Sequence, residues 1–599
     1  MKLTGAEILA DYLVREEVAY AAGIPGHGIW TFVDALIDRA PHVKLLPVMH
    51  EQSAAHLADG YFRACGKPIA AFTSIGPGAA NTTVGVATAY ADSTALLLIT
   101  GSAHTYMRGH TVLQEVDRVH DANNARIFEP IVKRWWQPSC VEIVPYVVQR
   151  AFAEMLSGRP GPVLLDMPMD VQADTADVTL PDPCARRHTG RSRPDSALVE
   201  RAAALLTTAQ RPVIVAGGGA ISAAASATLV AVAEHLGAAV VTTWMGKGAI
   251  PEDHDLNAWS VGDTASTSGN ALAAAADVVL SVGCRFTDWT ASSYRQGVSF
   301  SIPPSKLIQI DIDAHELGKN YPVEVPLQAD VQAALQDLLD ALRQYGPPRE
   351  YRDGAYYADI QRQKARWEKV KAERRDSPAR PMTQARAIYE LRAALDRRAI
   401  VTSGAGVVQA VVRQDFPVYE PRTHITSGGF STMGFTLPAA IGAQLAHPDR
   451  QVAAIAGDGD FMQTMQEMAV AVMQDLPLLI VILNNAGWIS IKGGQLANFG
   501  RAAMTDFTRK DGSIYTPDFA AVARNFGLHG ERVEDPTLLQ PAVKRALATK
   551  GPALIEVMVA RDFPEAGANK TGWWDVPVPQ RLARQRADYE AGRAEERMR

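Results

Sequence analysis

Residues 452–488 read VAAIAGDGDFMQTMQEMAVAVMQDLPLLIVILNNAGW, and they are the most informative part of the chain. An apolar run, VAAIA, ends in Gly457-Asp458-Gly459, and a second apolar run, LLIVIL, ends in Asn484-Asn485. About twenty residues of helical pattern lie between them, which predicts a βαβ crossover in a parallel sheet. Such a crossover brings the ends of both strands to the same edge of the sheet. We therefore expect Asp458 and Asn485 to converge, although they are 485 − 458 = 27 positions apart.

The residue types at this edge suit a divalent cation and a phosphate. Asp and Asn oxygens are ligands for a hard cation such as Mg²⁺, which keeps water and phosphate oxygens as its other ligands. Gly457 and Gly459 let the backbone approach a phosphate closely, and a helix beginning near Phe461 would offer free N–H groups to it. The alternative is a strand–turn–helix with no ligand, because GDG alone is a common sequence. The NN at this distance favours the binding site.

The spacing of GDG and NN resembles the thiamine diphosphate motif of the superfamily that contains acetolactate synthase and pyruvate decarboxylase. The likeness to the acetolactate synthase catalytic subunit extends over essentially the whole chain. It is carried by GIPGHGIW (23–30), HEQSAAHLADGYFRACGK (50–67), SIGPGAANTTVGVATAYADSTALLLITG (74–101), LQEVD (113–117), IQIDIDAHELGKN (308–320) and GGFSTMGFTLPAAIGA (428–443). The resemblance implies an α/β fold of three doubly wound parallel-sheet domains, as in thiamine-diphosphate-dependent decarboxylases.

Glu51 follows the apolar run VKLLPVM and precedes a helical pattern. The resemblance implies that its carboxyl hydrogen-bonds the pyrimidine ring of the cofactor and favours the tautomer that removes the thiazolium C2 proton. Taken alone, Glu51 is better explained as an acidic residue interacting with a helix dipole.

The resemblance assigns further residues of this chain to the same site. It implies that Asp458, Asn485 and the carbonyl of Gly487 bind Mg²⁺, and that Gln114 lies above the thiazolium. Lys133 stands where the family has a lysine near the substrate entrance. Residues expected to contact the cofactor are Pro25, Asn81, Gln409, Met433, Gly457 and Gly459. In the family, Glu51 and the metal ligands come from different subunits, which implies a homodimer or homotetramer with active sites at the subunit interface.

Three positions depart from acetolactate synthase. Trp289, in CRFTDW, stands where the family has an arginine that holds the carboxylate of the second 2-oxo acid, and an indole cannot form that charge-assisted pair. Gly494 stands near the place of the family's acceptor-site tryptophan. His27 replaces a small residue; it could relay protons or bind an oxyanion as a catalytic residue, or only cap a tight loop.

These departures leave the activity open between two enzyme classes. His27, the stretch NFGRAAMTDFTRKDG and the tail GWWDVPV also resemble thiamine enzymes that hydrolyse cyclic 1,2-diones, including trihydroxycyclohexanedione hydrolase. The leading hypothesis is a thiamine-diphosphate- and Mg²⁺-dependent decarboxylase/carboligase or lyase that breaks or makes a C–C bond in a small 2-oxo or 2-hydroxy acid. The alternatives are hydrolytic ring opening of a cyclic dione and, from another class, a non-catalytic cofactor-binding subunit.

The chain divides by composition into three α/β blocks and two further segments. We predict a pyrimidine-binding domain at 1–180, a central domain at 190–345, a charged linker at 346–380 and a diphosphate- and metal-binding domain at 381–565. The tail, 566–599, carries Trp573 and Trp574, which either form a lid over the site or pack into the core. In the central domain, VAGGGA (215–220) and the segments named above suit a nucleotide cleft, and the alternatives there are FAD, ADP or no nucleotide.

Composition excludes several other classes of protein. With 599 residues, 47% apolar and 21% charged, the chain is typical of a soluble globular protein. Its net charge of −6 offers no broad basic surface for nucleic acid. Four scattered cysteines without a CxxC pair predict neither a zinc site nor a disulfide framework, which favours the cytoplasm. No apolar run approaches the roughly 20 residues that span a bilayer, so no membrane partner is expected.

Overall fold

The computed structural model describes residues 1–115, 124–563 and 576–597. These residues contain three six-stranded sheets, each wholly parallel, and one antiparallel pair of short strands. Helices follow most strands along the chain. The predicted fold class, three parallel-sheet α/β domains, is confirmed.

The first sheet has the strand order β3-β2-β4-β5-β7-β6, and the pair β1–β8 lies outside it. Its strands are β1 (Lys2–Thr4), β2 (Tyr20–Gly23), β3 (Lys44–Pro47), β4 (Ala70–Thr73), β5 (Leu97–Ser102), β6 (Arg134–Trp136), β7 (Val163–Pro168) and β8 (Thr175–Asp177). Its helices are α1 (Gly5–Arg15), α2 (Trp30–Ile37), α3 (Glu51–Cys65), α4 (Pro77–Asn81), α5 (Thr83–Ala91), α6 (Val144–Leu156) and α7 (Met169–Ala173).

The second sheet has the order β11-β10-β9-β12-β13-β14. Its strands are β9 (Pro212–Ala216), β10 (Ala239–Thr242), β11 (Asn257–Ser260), β12 (Val278–Val282), β13 (Lys306–Asp311) and β14 (Val325–Gln328). The accompanying helices are α8 (Ser196–Thr208), α9 (Gly218–Ser222), α10 (Ser226–Leu236), α11 (Thr267–Ala274) and α12 (Val331–Tyr345), and α13 (Ala355–Arg375) connects this region to the next.

The third sheet has the order β16-β15-β17-β18-β20-β19. Its strands are β15 (Ile400–Ser403), β16 (His424–Thr426), β17 (Val452–Gly457), β18 (Leu478–Asn484), β19 (His529–Val533) and β20 (Ala553–Met558). Its helices are α14 (Gln384–Ala394), α15 (Val407–Asp415), α16 (Thr436–Ala446), α17 (Asp458–Phe461), α18 (Met468–Met473), α19 (Ile489–Phe499), α20 (Phe519–Phe526) and α21 (Leu539–Ala548); α22 (Ala583–Arg597) lies in the tail.

The central strands are continuous apolar runs. Every residue of β9 (PVIVA), β12 (VVLSV) and β18 (LLIVILN) is buried. A parallel sheet covered by helices on both faces requires such runs, because neither face meets water.

The crossover between β17 and β18 differs in detail from its prediction. Its helical part begins at Asp458, not near Phe461, and consists of α17, a 3₁₀ turn at Met465–Glu467 and α18. Gly457 precedes the helix, and two acidic residues, Asp458 and Asp460, lie in its first turn, where the helix dipole favours negative charge.

The first and third regions of the chain share one hydrophobic core, through the pair α3 and α16. A Cβ on Gly60 would lie 2.2 Å from the carbonyl oxygen of Ala439, and one on Gly442 would lie 2.1 Å from that of Leu57. The two helices therefore approach so closely that only glycine fits at both crossings. The second sheet has a separate core.

The charged linker, predicted as a solvated helix with flexible ends, is helical but packs against both neighbouring regions through α11 and α14. α13 buries Ile360 and Trp367, and Trp367 is only 1% exposed. The sequence did not reveal this apolar face, because most positions of the helix are charged or polar and point outwards.

Two further predictions concern the tail and membrane-spanning helices. Trp573 and Trp574, predicted as part of a lid or a packed tail, lie outside the described residues. In the described part of the chain, no helix combines the length and apolarity that crossing a bilayer requires.

Candidate functional site

The third sheet brings Asp458 and Asn485 together at the ends of β17 and β18, as the crossover predicted. The backbone N–H of Gly487 donates to Asp458 Oδ2 over 3.2 Å, which joins the two loops directly. Asp458 is only 3% exposed, and burial raises the pKa of its carboxyl to about 6. A buried carboxylate that receives backbone N–H groups and has no ion-pair partner among the described residues is suited to a bound metal ion.

Asn485 supplies a second oxygen to the same place. Its side chain is 8% exposed, and its Oδ1 is buried without a hydrogen-bond partner among the described residues. Buried polar oxygens almost always have a partner, so an orphaned one beside a buried carboxylate fits a missing ligand. Ala486, between Asn485 and Gly487, has φ +53°, which turns the chain sharply at this point. The donor set of carboxylate, amide and carbonyl oxygens fits Mg²⁺.

Gly459 allows the indole of Trp488 to lie over the loop. A Cβ at this position would lie 2.0 Å from the Trp488 ring. Gly457 ends β17, and its nearest contact for such an atom is Val408 at 3.6 Å. The glycine at 459 is therefore required by packing, whereas the one at 457 leaves open space beside α15.

Asp460 fixes the loop that carries Met433. This carboxyl accepts 2.5 Å hydrogen bonds from the backbone N–H of Gly434 and from Thr436 Oγ1, and burial raises its pKa to about 6. On the other side of the loop, Ser431 Oγ donates to Gln409 Oε1 over 3.2 Å, while Gln409 Nε2 donates to Thr426 Oγ1. Met433 remains 37% exposed at the tip.

All seven site residues predicted in the third region line one cavity of about 1240 Å³. They are Gln409, Met433, Gly457, Asp458, Gly459, Asn485 and Gly487. The cavity continues into the central region, where Gly218, Arg285, Trp289 and Asp311 line it.

Glu51 lies at the first turn of α3, as predicted. Its Oε2 accepts a 2.9 Å hydrogen bond from Asn81 Nδ2, so two residues assigned to the cofactor are in contact. A Cβ on Gly78 would lie 3.3 Å from Glu51 Oε1, which shows that α4 passes close to the second carboxyl oxygen. His50 caps the helix by accepting from the backbone N–H of Gln52.

The other predicted residues of the first region surround the same loop. Gly28 donates to Ser74 Oγ over 3.2 Å, which packs the loop of Pro25 and His27 against the start of segment 74–81. Gln114 adopts φ +69°, and its carbonyl oxygen would lie 1.8 Å from a Cβ on Gly76. Glu51, Asn81, Gln114, His27 and Pro25 therefore belong to one cluster at the edge of the first sheet.

Within one chain the two groups do not line the same cavity. None of the five residues of the Glu51 cluster, all of them described, lines the cavity that holds Asp458. Apolar side chains near both groups are exposed: Trp30 (61%), Met49 (41%), Val84 (40%) and Phe430 (49%). Exposed apolar groups of this kind mark a candidate contact surface.

Three other sequence expectations have clear positions. Trp289 lines the central part of the cavity, and its Nε1 donates to Thr264 Oγ1 over 3.4 Å. Lys133 Nζ donates to the carbonyls of Glu154 and Ser157 at the end of α6, and it does not line the cavity; its place near the substrate entrance stays a prediction. Gly494 lies on the exposed part of α19, where a Cβ would meet no atom within 4 Å beyond its own stretch of helix.

Sequence reasoning missed two buried acids. Asp460 was hidden beside the stronger signal of Asp458, and Glu467 lay in a stretch assigned to a helix. Glu467 is 1% exposed and accepts from the backbone N–H of Met49. An acidic residue in an otherwise apolar stretch, MQEMAVAVM, was the available signal.

Comparison with known families agrees with this geometry. Three profiles match the chain in order: the thiamine pyrophosphate enzyme N-terminal TPP binding domain at residues 3–121, the central domain at 199–338 and the C-terminal TPP binding domain at 404–557.

Individual relatives cover nearly the whole chain. A probable acetolactate synthase large subunit from Methanocaldococcus jannaschii is 33% identical over 93% of this chain and 92% of its own length. The acetolactate synthase large subunit of Haemophilus influenzae is 31% identical over 92% and 93%, and the isozyme 1 large subunit of Escherichia coli is 32% identical over 93% and 94%. The resemblance read from the motifs is thereby confirmed, and the chain belongs to the thiamine pyrophosphate enzymes, in the family of acetolactate synthase large subunits.

Proposed function

We propose that this enzyme uses thiamine diphosphate and Mg²⁺ to break or make a C–C bond next to the carbonyl of a small 2-oxo or 2-hydroxy acid. The observation that carries the proposal is the orphaned Asn485 oxygen beside the buried Asp458 carboxyl. This pair would hold Mg²⁺ together with the Gly487 carbonyl. When bound, thiamine diphosphate supplies a carbon nucleophile and an electron sink.

The residues of this chain would orient and protonate the reacting groups. Asn81 holds Glu51 Oε2, which leaves Oε1 to exchange a proton with the aminopyrimidine. Met433 lies on the loop that Asp460 holds, and its side chain would support the bound cofactor. Gln114 and His27 would face the substrate.

We propose a homodimer, or a tetramer of two such dimers, as the active assembly. The Glu51 cluster and the Asp458 cavity are separate in one chain, and exposed apolar side chains flank both. A two-fold axis would complete two equivalent sites, each with Glu51 from one subunit and Asp458 from the other.

For the central end of the cavity we propose a nucleotide, FAD first. Its support is the continuity of the cavity from Asp458 to Gly218, Arg285 and Asp311. Burial lowers the pKa of Arg285, so an anionic group beside its guanidinium would be favourable. A purified protein that carries FAD has an absorption band at about 450 nm, whereas ADP or an empty cleft gives no such band. The four cysteines, all free, support a cytoplasmic location.

The activity is tested by a screen of 2-oxo acids and cyclic diones with Mg²⁺ and thiamine diphosphate. Release of carbon dioxide from a 2-oxo acid by the wild type, reduced at least about 100-fold in Glu51→Gln, is the expected result. Opening of a cyclic dione without carbon dioxide would replace the proposal with the hydrolase. Failure of the holoprotein to exchange the C2 proton of the cofactor would instead leave a non-catalytic binding subunit.

A further inference from the structure

Glu467 reaches from the third region of the chain to the turn that carries Glu51. The backbone N–H of Met49 donates to Glu467 Oε2 over 3.2 Å, across 418 positions of sequence. Met49 lies between the end of β3 at Pro47 and the start of α3 at Glu51. Its N–H belongs to neither element, so it is the acid from the third region that satisfies it.

The environment of Glu467 makes this contact costly to maintain. The side chain is 1% exposed, and burial raises the pKa of its carboxyl to about 7, although the hydrogen bond from the Met49 N–H favours the charged form. An apolar side chain would fill the same volume without a desolvation cost. The carboxyl therefore has a use other than packing, and the hydrogen bond that it accepts comes from Met49, two residues before Glu51.

We propose that Glu467 is a positioning residue that sets the place of the Glu51 carboxyl by holding the turn from Pro47 to Ser53. The proposal rests on the proposed role of Glu51 in cofactor activation. The α3–α16 crossing fixes the middle of α3, where Gly60 meets Ala439. Glu467 fixes its first turn, and together the two contacts leave the Glu51 backbone little freedom.

The same geometry joins the two half-sites of one chain. Asp458 and Glu467 lie on one short segment, α17 and the 3₁₀ turn that follows it. In the proposed dimer, Asp458 would serve one active site and the Glu51 of the same chain the other. Through Glu467, the segment that supplies Asp458 to one active site would also hold the Glu51 that serves the other active site.

The test measures the rate of C2 proton exchange of bound thiamine diphosphate, by acid quench and NMR, together with cofactor affinity. Glu467→Leu keeps the volume but removes the acceptor for Met49; we expect exchange to fall about 10- to 100-fold, as for a small misplacement of a catalytic group. Cofactor affinity should stay within about 3-fold, since the diphosphate and metal ligands are unchanged. Glu467→Gln keeps an acceptor oxygen and should restore most of the exchange rate.

His447→Leu is the matched control. Its Nε2 contacts the carbonyl of Ala64 at the opposite end of α3, over 3.1 Å, so it removes a contact between the same two regions far from Glu51. We expect it to lower the thermal midpoint while leaving exchange unchanged. If Glu467→Leu does not fold, Glu467→Asp, shorter by one methylene, should give an intermediate exchange rate.

Two outcomes would overturn the proposal and remain distinct from failure of the proposed function. Exchange equal to wild type in both Glu467→Leu and Glu467→Asp would show that Glu467 does not position Glu51. Equal losses of exchange in the Glu467 and His447 variants would show a general effect of the contact between regions. A wild type that exchanges no C2 proton, or a fully active Glu51→Gln, would overturn the proposed function itself.

Discussion

Asp458 and Asp460, two residues apart, are both buried acids with raised pKa values, yet their surroundings differ. Asp460 receives short hydrogen bonds from Gly434 and Thr436, and these bind two loops together. Among the described residues, Asp458 receives hydrogen bonds only from backbone N–H groups, and it faces the cavity. Asp460 is thus a structural acid, whereas Asp458 carries a desolvation cost that a cation would remove.

The cost of Asp458 gives a stability prediction for the cofactor-free protein. Its folded pKa, about 6, lies above the ordinary value of 3.8 because burial disfavours the charged form, so its contribution to stability is full below pH 3.8 and is lost progressively as pH rises from 3.8 through 6. At pH 8 we expect Asp458→Asn to stabilise the folded protein by about 1–3 kcal/mol, and at pH 5 by about half as much. Calorimetric thermal midpoints at both pH values check this.

Two controls accompany that measurement. Asp449→Asn, at an exposed position, should leave the midpoint unchanged at either pH. Added Mg²⁺ and thiamine diphosphate should stabilise the wild type and not Asp458→Asn, since the variant lacks the charged ligand. A lower midpoint for Asp458→Asn at pH 8 would contradict the assignment of Asp458 as an uncompensated buried acid.

Trp289 gives a second prediction, on the choice of acceptor. It lines the cavity of Asp458, and an arginine there would offer a bidentate partner to a carboxylate. We expect Trp289→Arg to raise the yield of ligation to a second 2-oxo acid, relative to an aldehyde acceptor, about 10-fold. Product ratios from competing acceptors measure this. Trp289→Phe should keep the wild-type ratio, and an unchanged ratio in Trp289→Arg would place the acceptor elsewhere.

At the scale of elements, the crossing of α3 and α16 decides how the first and third regions pack. Gly60 and Gly442 each face a backbone carbonyl of the other helix, and an added Cβ would lie only 2.2 Å and 2.1 Å, respectively, from its oxygen. We expect Gly60→Ala to destabilise the protein by about 1–3 kcal/mol, because the added methyl meets the Ala439 carbonyl and the helices must separate. Gly494→Ala in α19, where nothing lies nearby, should be neutral or stabilising. Thermal midpoints that rank the two variants in the opposite order would refute this packing argument.

Local patterns predicted elements well and contacts between distant elements poorly. The apolar runs of β17 and β18 and the glycines after β17 predicted both the crossover and the meeting of Asp458 with Asn485. The burial of α13 and the role of Glu467 were not predictable, because the partners are remote in sequence: Trp367 lies on a helix of charged pattern, and Glu467 meets Met49 across 418 positions. Periodicity predicts which face of an element is apolar. The burial of an acidic residue can be predicted only when the residue that donates a hydrogen bond to it is known.

At the scale of the whole molecule, the proposed dimer would make a single chain an incomplete enzyme. Its Glu51 cluster and its Asp458 cavity do not share a lining, although both contain the residues that the family motifs assign to one site. A closed two-fold dimer would place the Glu51 cluster of each chain beside the Asp458 cavity of the other. The separation of these two groups within one chain therefore predicts how the chains assemble, and this can be tested without a structure of the dimer.

Co-expression of Glu51→Gln with Asp458→Asn provides that test. Each variant alone forms dimers with two defective sites. A mixed dimer has one site with both defects and one intact site, made from Glu51 of one chain and Asp458 of the other. With random pairing, half the dimers are mixed and half their sites work, so about a quarter of wild-type activity is expected. Two different affinity tags, purified in sequence, would isolate the mixed dimer, which should show about half. Mixed dimers that remain as inactive as either parent would show that Glu51 and Asp458 act within one chain.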